Sequence, residues 1–184
     1  MKKQFLVKSL LLLLFLFIFT ACSSVSKANT TEQAVKNAIE SANDYCSKGQ
    51  YDLALEVYTS ALENITDYRL IYNKALVLAY QGSYKEAIEV CQEGFDKFDY
   101  ILAFKNAQAY YNTLAGNDAE ACKVYLEILE INPYDTTTRN TLIERYKALE
   151  EYDKALGQAL IMWNQGYKTS DNLKLIEELK SLKN

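Results

Sequence analysis

With 184 residues, 49% hydrophobic and 24% charged, the chain has the balance of an ordered globular protein rather than a disordered one, and its 6 Gly and 1 Pro leave too few turn-formers for an all-β domain, so composition favours helix. The formal charge of -4 becomes -7 once Lys2, Lys3 and Lys8 of the N-terminal segment are set aside (17 Lys+Arg against 24 Asp+Glu), which argues against nucleic acid and against an electrostatic membrane surface. His is absent, which removes the commonest general base and the commonest metal ligand.

Residues 1–21 read MKKQFLVKSLLLLLFLFIFTA: three lysines, an unbroken apolar run from Leu10 to Phe19, then small residues, the pattern of a secretory signal that is removed. Ten apolar residues in a helix cover roughly half of a ~30 Å hydrocarbon core, which is short for a permanent span. FTAC, Phe19 to Cys22, resembles the lipobox of bacterial lipoproteins, with Phe19 in place of the usual Leu. That resemblance implies a diacylglyceryl group on Cys22, cleavage just before it, and a lipid anchor on the extracytoplasmic side of the bacterial cell membrane. Ser23 after the lipid-bearing Cys implies the outer membrane if the organism has one. The polar stretch SSVSKANTT then reads as a tether over 22–31, and Thr30 with Gln33 has the form of a capping box that starts the first helix.

Four segments align without gaps from there on: GQYDLALEVYTSAL from Gly49, GSYKEAIEVCQEGF from Gly82, GNDAEACKVYLEIL from Gly116 and EEYDKALGQALIMW from Glu150. One column holds Ala54, Ala87, Ala121 and Ala155, and this period of about 34 residues marks a stacked repeat. Ala54, Tyr58, Ala61 and Leu62 fall on one face of a helix, the small Ala admitting a partner helix closely. Gly49, Gly82 and Gly116 sit where a tight helix connection calls for left-handed backbone; Glu150 replaces Gly in the fourth copy, so a different turn is expected there. Upstream of each segment lies another apolar helix, as with Ile71, Ala75 and Leu78.

Over roughly residues 32–167 this pattern resembles the tetratricopeptide repeat, a helix-turn-helix unit of about 34 residues. Pro133 in EINPYD matches the Pro that often closes a unit, whereas the characteristic Trp of the first helix is absent. Residues 168–184, with Ser170 and Asp171 as caps and Leu173, Ile176 and Leu179 on one face, read as a terminal helix covering the last hairpin. The expected fold is all-α, a helical repeat solenoid of about four hairpins plus a C-terminal capping helix.

Catalytic chemistry finds no footing, since Cys46, Cys91 and Cys122 lie in predicted helices without CxxC or His and read as buried small hydrophobes, with a Cys91–Cys122 disulfide as the alternative. Glu150–Glu151 and Glu177–Glu178 read as solvated surface, and there is no phosphate loop, GxSxG or HExxH. No catalytic residue, metal site or cofactor is expected. Tyr51, Tyr84, Tyr125 and Tyr152 fall in columns of the hairpin core. Tyr72, Tyr80 and Tyr110 lie on first helices, which in the resembled family line the concave surface, and with Asn73 and Asn106 they are the candidate partner-binding residues. Asn43 and Asn73 resemble asparagines that in some such domains grip a peptide carboxylate, but Ile39, Ala103 and Ala107 stand where the accompanying basic residues belong. The expected function is a membrane-anchored scaffold or adaptor holding a protein or peptide in its groove, without nucleic acid. The alternative is a small-molecule or lipid-binding receptor with a cavity lined by the first helices.

Overall fold

A computed structural model describes residues 29–98 and 101–183; the apolar run, the FTAC motif and Cys22 therefore lie outside the described residues. The described chain is helical throughout: α1 (29–47), α2 (Tyr51–Leu62), α3 (Tyr68–Tyr80), α4 (Tyr84–Lys97), α5 (Leu102–Leu114), α6 (Asp118–Ile131), α7 (Thr136–Ala148), α8 (Tyr152–Asn164) and α9 (Ser170–Leu182). This is an all-α repeat solenoid of helical hairpins. The chain divides within α3 into two compact units, one ending at Leu70 and the other beginning at Ile71.

In the N-terminal unit, Val35 and Ala42 of α1 and Ala54 and Tyr58 of α2 are fully buried, seven and four residues apart on their helices, as two apolar stripes facing each other require. Asn29 and Thr30 are already helical, so Thr30 lies inside α1 and is not its cap. The start of α3 is tied to α1 by Arg69, whose Nη1 and Nη2 donate to Glu32 at 2.8 and 2.7 Å while Nη2 also reaches Asp67 at 2.8 Å. The guanidinium holds both carboxyls below the usual carboxylate range.

The corner glycines act as the spacing predicts. Gly49, Gly82 and Gly116 have φ of 70, 83 and 76°, and each ends its helix with the same pair of bonds, for Gly116 from its own N–H to Thr113 O (3.1 Å) and from Asn117 N–H to Asn112 O (2.8 Å). This double bond satisfies carbonyls that the helix end would otherwise leave bare. The expectation of a different turn at Glu150 is corrected by the structure. Glu150 takes φ 58°, the left-handed value of its glycine counterparts, and keeps both bonds, Glu150 N–H to Lys147 O (3.0 Å) and Glu151 N–H to Tyr146 O (2.8 Å). The hydrogen bonds hold the geometry where the residue does not favour it.

From Ile71 onward, each second helix buries its Ala column completely (Ala87, Ala121, Ala155), and the larger core side chains gather between them: Ile128, Leu142, Ile143 and Leu179. Gly94 of α4 is a special case, because a Cβ built on it would stand 2.4 Å from the Phe104 ring of α5. The fully buried Phe104 thus occupies space that a glycine vacates. On α9, Ile176 and Leu179 are buried and Leu173 is 44% exposed, and Lys147–Glu178 and Lys183–Asp153 pairs at 2.9 and 2.6 Å fasten the helix to α7 and α8. The α9 cap is Thr169, which accepts from Asn172 N–H, in place of the expected Ser170 and Asp171, both of which are helical.

Candidate functional site

The burial pattern of α5 separates structure from surface residue by residue. Its only exposed positions are Ala103, Asn106, Tyr110 and Leu114, one stripe at steps of three, four and four residues. Helix α7 repeats it one hairpin later, where Thr137, Asn140, Glu144 and Ala148 are exposed. In the same register the part of α3 beyond Ile71 presents half-buried Tyr72 and Leu76 and then exposed Tyr80. Of the candidate tyrosines, Tyr80 and Tyr110 are the most open, at 61% and 56%. Asn106 is exposed beside them, Tyr72 is half-buried, and Asn73 lies one position off the stripe, half-buried and engaged within the chain.

Three of these residues gather around one that the sequence reading missed. Tyr111, 3% exposed, has its phenol pushed well above the usual range by burial first, and further by the nearby Cys91 thiol and the hydroxyls of Tyr72, Tyr80 and Tyr110. Tyr72 meets Phe104 edge-on at 5.9 Å, and Tyr110 and Tyr111 stand 6.0 Å apart. Tyr72 and Tyr80 of α3 and Tyr110 and Tyr111 of α5 therefore form one cluster with a buried base, Tyr111 and Phe104, and an open top, Tyr80 and Tyr110. Rigid aromatic area of this kind is what interface anchors are made of. A signal for Tyr111 was present, since it follows Tyr110 and shares the face of Ala107 and Phe104.

The reverse side of α5 is polar and closed. Lys105, 7% exposed, donates to Gln92 Oε1 of α4 at 3.0 Å and to Glu127 Oε2 of α6 at 2.6 Å, and lies 4.8 Å from the centre of the Phe95 ring. Arg139 takes the matching position of α7, 5% exposed, bonded to Gln158 of α8 and to Pro133 O. Both cations brace a first helix against its second-helix neighbours and leave the exposed stripe free of them. Cys91 and Cys122 are buried free thiols, raised by burial to about 12 and about 11, and Cys46 is a half-buried free thiol. Among the described residues no group of three or more His, Cys, Asp or Glu is placed to hold a metal.

Two of the open clefts among the described residues lie elsewhere. One of about 510 Å3 runs between α1 and α2 and is lined by residues including Tyr45, Leu53, Val57 and Ile65; the other, about 330 Å3, is edged by Glu150, Glu151, Asp153, Lys154 and Lys183. Neither encloses the tyrosine cluster, so the receptor alternative draws nothing from them.

No family model and no curated protein matches the chain. Solved structures do. A tetratricopeptide repeat protein from Parabacteroides merdae is 20% identical with a TM-score of 0.63, over 81% of this chain and 61% of its own. Naa15/Naa10 bound to HypK is 19% identical with a TM-score of 0.59, over 81% of this chain and 23% of that one. The first tetratricopeptide domain of Spaghetti (RPAP3), bound to the HSP90 peptide SRMEEVD, is 22% identical with a TM-score of 0.53, over 64% of this chain and 96% of its own. The chain thus spans about three-fifths of the first of these and under a quarter of the second. At these identities the likeness establishes the fold, a tetratricopeptide-type helical repeat.

The expected location, lipid-anchored on the extracytoplasmic side of a bacterial cell membrane, is corrected by these findings. No described helix is long and apolar enough to cross a membrane, and Naa15/Naa10 with HypK and RPAP3 with its HSP90 peptide present this fold as a partner of other proteins.

Proposed function

We propose that the protein is a non-catalytic binding scaffold that takes a protein partner on the exposed first-helix face of its 71–183 unit. The observation that carries this reading is the tyrosine cluster. Tyr80 and Tyr110 leave more than half of their surface open while standing on a packed base of Tyr111 and Phe104. An aromatic ring in that position loses little conformational freedom when a partner covers it, which is why Tyr is enriched among interface anchors. The candidate anchors are Tyr72, Tyr80 and Tyr110, with Asn106 as a hydrogen-bonding neighbour. Asn73, half-buried, engaged within the chain and one position off the stripe, is with Tyr72 the least accessible of the candidates. The repeat fold adds weight, because a similar domain carries an HSP90 peptide in one solved structure and Naa15/Naa10, part of which has this fold, is bound to HypK in another.

The test is placement of a photo-crosslinking side chain at Tyr80, at Tyr110 and, as a control on a second helix, at exposed Lys85, each variant first shown to melt like the parent. Irradiation in extract of the source cells is expected to give protein adducts at the two tyrosine positions and none at Lys85. Adducts at Lys85 alone, or at no position, would overturn the assignment.

A further inference from the structure

We infer that copies of this chain associate head to tail, the α1–α2 face of one copy seating on the α8–α9 face of another. The contact uses neither Tyr80 nor Tyr110 and stands independently of the proposed function. Its pattern exists within the chain, at the places where a second helix meets the following hairpin. Lys105 of α5 lies there between Gln92 and Phe95 of α4 and Glu127 of α6. One repeat on, Arg139 of α7 holds the same position, bonded to Gln158 of α8, with Leu126 and Leu129 of α6 in the columns of Gln92 and Phe95. Both interior junctions are thus closed around a buried cation.

Each outer hairpin carries half of such a junction and leaves it open. On α8 and α9 the positions of Gln92, Phe95 and Lys105 are taken by Leu160, Trp163 and Leu173, with Leu160 38% and Leu173 44% exposed. On α2 the position of Glu127 is taken by Ser60, which lines the cleft of about 510 Å3 with Leu53, Val57 and Tyr45. Among the described residues no second helix precedes α1 and none follows α9. Leu53 is the exception in its column, which elsewhere holds Glu86, Glu120 and Lys154. A repeat end that faces water needs a polar outer side. Here apolar side chains stand where the interior junctions hold ions, and they gain by covering one another as the interior halves do.

The flanking charges select the pairing. Residues 49–68 carry Asp52, Glu56, Glu63 and Asp67 and no Lys or Arg, whereas residues 168–183 carry four lysines against three carboxylates. Glu56 lines the cleft, and Lys174, next to Leu173 in the chain, is exposed. Seating α1–α2 on α8–α9 therefore brings unlike charges to the rim of an apolar contact, while two α1–α2 faces together would set carboxylate against carboxylate. Because the contact joins two different surfaces, a complex of two copies keeps one unused face of each kind.

The experiment is native mass spectrometry of the full chain, 21.0 kDa, carried in a mild detergent because of its apolar run at 10–19. The parent is expected to give ions of two or more copies. Leu53→Glu gives α2 the residue type of Glu86 and Glu120, and Leu173→Glu puts a carboxylate in the first turn of α9, so both should melt like the parent. Each is expected to weaken association about tenfold or more, because a charge enters an apolar contact unpaired. Leu53→Lys, the residue type of Lys154, is a second variant of the same face with the same expectation. Leu126→Glu, in the column of Leu160 but on an interior hairpin, should leave association as in the parent. The deciding measurement mixes Leu53→Glu with isotopically labelled Leu173→Glu. Each retains the face that the other lacks, so the mixture is expected to restore a complex of one copy of each and nothing larger. A parent that is a single copy at every concentration, or a Leu53→Glu variant that associates like the parent, would overturn the inference. So would two variants that stay dissociated on mixing, the behaviour of a symmetric pair formed through one surface.

Discussion

The hairpins α5–α6 and α7–α8 share a fold but not a chemistry. Position for position, one repeat apart, Phe104 becomes Thr138, Tyr110 becomes Glu144, Gly116 becomes Glu150 and Cys122 becomes Leu156, while Ala121 and Ala155 stay the same and both are fully buried. The constant element is the close helix crossing at alanine. What differs is how the remaining space is filled and what is left outside. The α5–α6 hairpin presses a large ring against a glycine on α4 and shows tyrosine to solvent. The α7–α8 hairpin places a threonine, hydrogen-bonded to the Asp135 cap at 2.7 Å, in the position of that ring and shows a carboxylate. The shape of the repeat tolerates either filling so long as the crossing and the corner bonds persist.

The largest effect should come from the contact that only the α5 side has. Gly94→Ala places a methyl 2.4 Å from the fully buried Phe104 ring, so the ring or the helix must shift. The gain of about 1 kcal/mol from Ala over Gly within a helix is outweighed by overpacking, for a net loss of about 1 to 3 kcal/mol in denaturant unfolding. The same substitution in a Phe104→Leu background should cost much less. Equal losses in both backgrounds would mean that Phe104 is not what Gly94 accommodates.

A second difference is visible in alkali. Cys122, 4% exposed, has its thiol raised by burial from 9.0 to about 11, whereas the α7–α8 hairpin carries Leu156 in that position. A folded-state value above the unfolded one means that the neutral thiol's contribution is fully present below pH 9 and is lost as pH rises through 11. Over that window the domain should lose on the order of 2 kcal/mol through this residue. Cys122→Val should flatten that part of the pH profile, although Cys91, Tyr58 and Tyr111 continue to titrate above it. A profile identical to the parent's would show that the Cys122 thiol is not the group responsible.

The hairpins, the alanine crossing and three of the four corners were legible in the sequence because each depends on one residue type recurring at a fixed period. Glu150 was not, since its left-handed backbone is held by bonds to Lys147 and Tyr146 carbonyls that any residue makes through its N–H. The exposed stripe was half legible. Tyr80 and Tyr110 stand out by type, but Asn140 sits among threonines and reads as surface; only carrying the repeat alignment into the first helices pairs it with Asn106. Asn73 also stands out by type, yet it lies one position away from the open face. The residues before 29 bore the location argument and lie outside the described structure.

The corners give a smaller effect of opposite sign in the two hairpins. Gly116 has φ 76° with no atom within 4 Å of a built Cβ, so Gly116→Ala suffers the backbone strain alone and should destabilise by about 1 kcal/mol. Glu150→Gly relieves the same strain, at about 1 to 2 kcal/mol, but restores the unfolded-state freedom of glycine, leaving a net gain of about 0.5 to 1 kcal/mol. Thermal melts of the two variants should therefore move in opposite directions. Movement in the same direction would mean that the residue at one corner is held by side-chain contacts rather than by the backbone.

The smallest effect on stability belongs to the exposed stripe, and its smallness is the point. Tyr110→Glu makes the open position of α5 match Glu144 of α7, and at 56% exposure it removes little buried area and places a carboxylate near the end of the helix, a mildly unfavourable position for the dipole. The change in unfolding free energy should stay within about 0.5 kcal/mol, as is usual for surface substitutions away from caps and cores. If Tyr110 is instead needed to keep Tyr111 buried, through the ring contact at 6.0 Å, the loss will approach that of a core change, and the residue belongs to the packing of α5 rather than to a binding face. A variant that melts like the parent yet gives no crosslinked partner at Tyr80 would separate the two roles: structure carried by Phe104 and Tyr111 beneath, recognition by the ring above them.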